Sequence, residues 1–179
     1  MGQPKLSLPW GHTTVLGQVL FVLKEATVDE ILVVTGAEPV LVETICAGHD
    51  VRIIHNPEFE EGEMLSSIQA GLKAISEASG VALIVLGDQP GIQVQVVQAI
   101  LETHRRSEAP IIVPSYGGHR GHPWLIARQF WDQILGMRSP ETSREFLNRH
   151  ADQIQYVDAG GPEVLQDIDT PEDYLKSKP

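Results

Sequence analysis

The stretch Val81-Ala82-Leu83-Ile84-Val85-Leu86, followed at once by Gly87-Asp88-Gln89-Pro90, constrains the fold of this chain more than any other. Six consecutive apolar residues, mostly Val, Ile and Leu, read as a strand buried on both faces, which places helices on either side of its sheet. Gly87 allows a turn or the close approach of a ligand, and Pro90 prevents the strand from continuing. In open α/β sheets, ligands bind beyond the carboxyl ends of the strands, which is where Asp88 stands. Capping of the next helix is the competing reading of that carboxylate.

The rest of the chain alternates in the same way. Helical spacing of apolar residues covers residues 13–26, with Thr13 or Thr14 as N-cap, and recurs over 38–47, 63–78, 94–106, 129–135, 141–150 and 171–176. Strands are predicted over residues 30–35, 51–54, 81–86, 111–113, 123–127 and 154–157. Gly36 closes the first of them, Gly48 ends a helix, and Pro171 occupies a first helical turn. Residues 115–122 are polar and glycine-rich and read as a loop. Alternating strands and helices imply one α/β domain spanning residues 1–179, a three-layer α/β/α Rossmann-like fold with a mostly parallel sheet.

Composition limits what such a domain can do. A formal net charge of -11 argues against a nucleic-acid binder, because phosphate neutralisation needs clustered Lys and Arg. No apolar run approaches the ~18–20 residues of a membrane span, and no signal-peptide pattern opens the sequence. The single cysteine, Cys46, excludes an internal disulfide and a cysteine-rich zinc site, and reads as buried filler. These features together predict a cytoplasmic protein.

Four segments besides Asp88 can carry chemistry. In Gln166-Asp167-Ile168-Asp169-Thr170-Pro171-Glu172-Asp173, the carboxylates of Asp167 and Asp169 lie on one side if the piece is extended. Thr170 and Asp173 fit a capping box, which leaves Asp167 and Asp169 unexplained. Paired aspartates from two strand ends suit magnesium, which takes one or two carboxylates plus substrate phosphates. Gly117-Gly118-His119-Arg120-Gly121-His122-Pro123 offers glycines for close approach and an arginine for bidentate phosphate binding, or is a plain surface loop. Its histidines have no third metal ligand at suitable spacing. Ser66 and Ser67, with Asn56 and Gly71, stand near a helix start, as ligand or capping groups. Met1-Gly2-Gln3-Pro4-Lys5, by residue type, reads as a solvated tail carrying a lysine.

In this order, the segments resemble the nucleotidyltransferase family of molybdenum cofactor biosynthesis over essentially the whole chain. That family carries LAAGxSxRMGxxK, then GDxP, RGHP and DxDTPED. Residues 1–5 match the end of the first motif, Gly87–Pro90 the second, Arg120–Pro123 the third and Asp167–Asp173 the last. RGHP favours the cytidylyltransferase branch over the guanylyl branch. The resemblance implies that Asp88 and Asp169 bind Mg²⁺, with Asp167 nearby, and that Lys5 contacts the nucleotide phosphates. It implies a base and ribose pocket around Ser66, Ser67 and Gly71, and a pterin side at Arg120, Gly121, His122 and Pro123. Arg144 resembles a family arginine, with Thr142-Ser143 standing where Gly-Ala is expected.

The family's first strand, its glycine-rich loop and the arginine before Met1 have no counterpart here. The expectation is a natural start further upstream, the other reading being a chain that has lost nucleotide binding. The reaction implied is transfer of CMP from CTP to the molybdopterin cofactor with release of pyrophosphate. Partners implied are CTP or another NTP, the cofactor, and a molybdoenzyme of the xanthine dehydrogenase type or its chaperone. A sugar-phosphate nucleotidyltransferase and a non-catalytic pterin-binding or delivery protein are the alternatives.

Overall fold

A computed structural model describes residues 4–179, the side chain of Glu63 excepted. After a 3₁₀ turn at Lys5–Ser7 comes a small antiparallel hairpin, β1 (Pro9–Trp10) and β2 (Thr13–Thr14), which the residue pattern does not foretell. It runs directly into α1 (Val15–Glu25), capped by Thr14, whose hydroxyl accepts from the Gly17 amide at 3.0 Å. Then follow β3 (Leu32–Thr35), α2 (Pro39–Cys46), β4 (Arg52–His55), α3 (Glu63–Ala74), β5 (Val81–Ile84) and α4 (Val94–Ser107). The last third holds β6 (Ile111–Tyr116), β7 (His119–Arg120), β8 (Trp124–Ala127), α5 (Trp131–Gly136), α6 (Ser143–Arg149), β9 (Ile154–Asp158) and α7 (Pro171–Ser177).

β5, β6 and β9 run in one direction, and β3 pairs β4 in parallel over Leu32–Thr35 and Arg52–His55. β8 lies between β5 and β6 and runs against both. The segment expected as a loop at 115–122 is instead the continuation of β6 and a tight hairpin to β7. Gly117 and Gly118, at φ of 57° and 82°, supply the positive φ values that such a two-residue turn demands.

Side-chain alternation along the strands builds the two flanking layers. Ala82 and Ile84 of β5 face a cluster with Leu65, Ile68 and Leu72 of α3, while Leu83 and Val85 face Val19, Val22 and Val97 of α1 and α4. Val33 of β3 turns toward α1 and α2. Gly71 of α3 lies close under β3, where an added Cβ would meet Val34 Cγ2 at 3.4 Å. Helices therefore cover both faces, as the apolar run predicts. β5 nevertheless remains only half-buried apart from Ala82, because among the described residues no strand pairs with its edge opposite β8. The ladder ends at Ile84; Val85 and Leu86 leave the sheet, and a turn begins at Gly87 and Asp88.

Candidate active site

Three segments far apart in sequence meet beyond the carboxyl end of β5. The turn after β5 carries Asp88, whose carbonyl accepts the Ile168 amide at 3.1 Å. Its neighbour Gln89 is buried and donates from Nε2 to Asp167 Oδ1 at 2.5 Å. Helix capping is not the role of Asp88: α4 begins after Gln93, five residues on. The acidic segment is anchored by Ile168, which is buried with Trp10 and Val15, while Asp167 and Asp169 on either side stay exposed. This is the period-two alternation expected of an extended piece. Thr170 then caps α7 in a capping box with Asp173, as its spacing predicts.

The glycine-rich segment packs against the 3₁₀ turn at Pro162–Leu165 that leads into the acidic one. The His122 amide donates to the Val164 carbonyl at 3.0 Å, and an added Cβ on Gly121 would stand 2.5 Å from that same oxygen. Only glycine permits this approach. His122 stacks on Trp124 with ring centroids 4.2 Å apart, and Trp124 donates from Nε1 to the Gly121 carbonyl at 2.8 Å. Pro123 is buried behind it, after a cis peptide bond.

Lys5 closes the arrangement. Its ammonium donates to Asp88 Oδ2 at 2.5 Å and to Asp169 Oδ1 at 3.0 Å. Partial burial works against the charge on Lys5, but the hydrogen bonds and attraction of the two carboxylates outweigh it and raise its pKa. Asp167 is shifted up, first by desolvation and then by the charges of Asp88 and Asp169, against the opposing hydrogen bond from Gln89. His122 is pushed down to about 4, chiefly by burial; the Arg144 guanidinium adds to this and the Asp88 carboxylate opposes it. An open cleft of about 600 Å³, lined by Trp10, Pro90, Asp167, Asp169, Asp173 and Lys176 among others, adjoins the carboxylates.

Other predicted site residues stand elsewhere. Arg120 donates to the Tyr156 hydroxyl at 2.8 Å and to Asn148 Oδ1 at 2.7 Å, so within its motif it is His122 that feels the charge of Asp88. Ser66 is buried, and Asn56 donates to its hydroxyl at 2.8 Å and to that of Ser67 at 3.1 Å. These bonds fold the loop at 56–62 onto α3, and Gly71 serves helix–sheet packing. Residues 1–3, the front of the first motif match, lie outside the described residues. Sequence reasoning missed Gln89 as the partner of Asp167; its place in Gly-Asp-Gln-Pro between an acidic residue and a proline was the available signal.

The chemistry of the donor set fits a divalent cation. Two carboxylate oxygens from separate elements converge on one positive charge, here an ammonium. Among the described residues no group of three His, Cys, Asp or Glu side chains is placed to hold a metal ion, so a cation on Asp88 and Asp169 would take waters and substrate oxygens as its other ligands, as magnesium prefers.

Known proteins resemble this chain over most of its length. The chain is 29% identical over 181 residues to the molybdenum cofactor cytidylyltransferase of Escherichia coli K12, covering 99% of this chain and 88% of that enzyme. It is 27% identical to the nicotine blue oxidoreductase of Paenarthrobacter nicotinovorans, over 94% of this chain and 85% of that protein. The crystal structure of Rv0371c from Mycobacterium tuberculosis shares the fold, with a TM-score of 0.84 and 24% identity, covering 98% of this chain and 89% of that one. Residues 1–154 match the MobA-like NTP transferase domain, and the chain belongs to that family of nucleotidyltransferases.

Proposed function

We propose that this protein transfers CMP from CTP to the molybdopterin cofactor, releasing pyrophosphate. One observation carries the reading: Lys5, Asp88 and Asp169, brought from three separate motifs, meet at the carboxyl end of β5. The similarity to the E. coli cytidylyltransferase over nearly the full chain supports the choice of base and acceptor. Oxidation–reduction, the chemistry that the name of the Paenarthrobacter relative states, calls for no such pairing of carboxylates with an ammonium.

In the reaction, a terminal phosphate oxygen of the cofactor attacks the α-phosphorus of CTP. A new P–O bond forms, the bond from the α-phosphorus to the α–β bridging oxygen breaks, and pyrophosphate departs with the electron pair. No covalent enzyme intermediate is needed, so the residues act by positioning and charge neutralisation. Asp88 and Asp169 would hold Mg²⁺, which when bound supplies Lewis-acid stabilisation of the phosphate charge. Lys5 offsets negative charge on the departing phosphates. Gln89, the Asp88 carbonyl and Gly121 keep the acidic segment in register with the turn after β5. His122, largely buried, remains a neutral imidazole at pH 7, so it adds no charge to the site.

Incubation with Mg²⁺, molybdopterin cofactor and each of CTP, GTP and ATP tests the reading. Release of pyrophosphate from CTP, with a cytidine dinucleotide of the cofactor detected by mass, is the expected result. Binding of the cofactor without pyrophosphate release from any nucleotide would favour a delivery protein instead.

A further inference from the structure

The oxygens that the proposed metal needs are the ones that Lys5 holds: Asp88 Oδ2 at 2.5 Å and Asp169 Oδ1 at 3.0 Å. The backbone of Lys5 is fixed in its 3₁₀ turn, where its carbonyl accepts the Leu8 amide at 3.2 Å and the Ser7 hydroxyl donates to the Pro4 carbonyl at 2.9 Å. The side chain is 35% exposed on a flexible four-carbon stem, so its ammonium can leave without moving the fold. A free divalent cation entering alone must break both ion pairs and gives the displaced ammonium no new anion. A triphosphate arriving with its metal provides one.

We propose that Lys5 competes with the divalent cation for Asp88 and Asp169, so that its ammonium lowers the affinity of the site for free metal until a phosphate group engages the lysine. This rests on the reading of Asp88 and Asp169 as metal ligands given above. The ammonium offsets one of the pair's two negative charges until the triphosphate draws it away, and by linkage nucleotide and metal each strengthen binding of the other. Lysine thereby keeps two carboxylates side by side when neither substrate is present.

Mn²⁺ alone, followed through the electron paramagnetic resonance signal of the free ion, is the probe. Mn²⁺ favours the same oxygen ligands as Mg²⁺. Lys5→Met is expected to bind Mn²⁺ about tenfold more tightly than the wild type, the scale of two half-exposed ion pairs. Lys5→Arg, which keeps the charge, should behave as the wild type. Adding Asp88→Asn to Lys5→Met should abolish the gain. Equal or weaker Mn²⁺ binding by Lys5→Met, with binding still lost in Asp88→Asn, overturns the competition alone. Unchanged Mn²⁺ binding in Asp88→Asn overturns the metal-ligand reading itself, and this proposal with it.

Discussion

At the scale of single residues, His122 and Asp88, whose charge reaches the imidazole, make opposite demands on their surroundings. The imidazole lies stacked on Trp124, largely out of water, and its pKa falls from 6.5 to about 4. Below pH 6.5 the unfolded chain takes up a proton there that the folded chain refuses. Stability is therefore complete above pH 6.5 and is lost as the pH falls toward 4, by up to roughly 3 kcal/mol if the shift is fully expressed. His122→Phe keeps an aromatic ring on Trp124 and removes the titration. In metal-free buffer, urea melts of the wild type between pH 6.5 and 5 should steepen in their loss of stability relative to this variant. Parallel slopes would contradict the account of His122. Asp88 plays the opposite part, since its charge is the asset. Asp88→Asn should lower metal-dependent pyrophosphate release by on the order of 10³-fold while leaving the melting temperature close to that of the wild type.

At the scale of elements, the contact between the glycine-rich segment and the acidic one is the joint on which the site depends. Gly121→Ala would drive a methyl group to 2.5 Å from the Val164 carbonyl oxygen, so the 162–165 turn must move. A loss of about 1–3 kcal/mol, the usual cost of overpacking, is expected in chemical denaturation, together with reduced Mn²⁺ affinity as Asp169 shifts. Unaltered affinity would show that the turn and the acidic segment move independently. Thr170→Ala loosens only the start of α7. It should cost about 1 kcal/mol, the worth of an N-cap, with little effect on metal binding.

The legibility of these elements in the sequence was uneven for physical reasons. The helix caps at Thr14, Thr142 and Thr170 depend on local hydrogen bonds; spacing marks Thr170 at its observed position and narrows the first cap to Thr13 or Thr14, while Thr142 goes unmarked. The apolar run of β5 named its two helical faces correctly. It could not reveal that β8 would insert antiparallel beside it, because strand order depends on contacts distant in sequence. Gly117-Gly118 has loop composition and is a hairpin turn; its second strand, β7, is only two residues long and too short for an alternating pattern to register.

At the scale of the whole molecule, the chain places its acidic motifs at one end of a sheet covered by helices on both faces, and folds them back on Lys5. The aspartates and the lysine could be singled out from residue type and motif order. Their meeting point could not, nor could the capture of Arg120 by Tyr156 and Asn148, since both depend on where β7, β9 and α6 pack. A net charge of -11 makes such an end unfavourable for anionic substrates unless cations accompany them, in agreement with a metal-bound triphosphate as the incoming species.

The most direct measurement is pyrophosphate release from CTP with molybdopterin cofactor as acceptor, titrated with Mg²⁺ for the wild type and for Asp88→Asn combined with Asp169→Asn. The account predicts release that requires Mg²⁺ in the wild type and is lost in the double variant. Release that is independent of Mg²⁺, or that survives loss of both carboxylates, would contradict it.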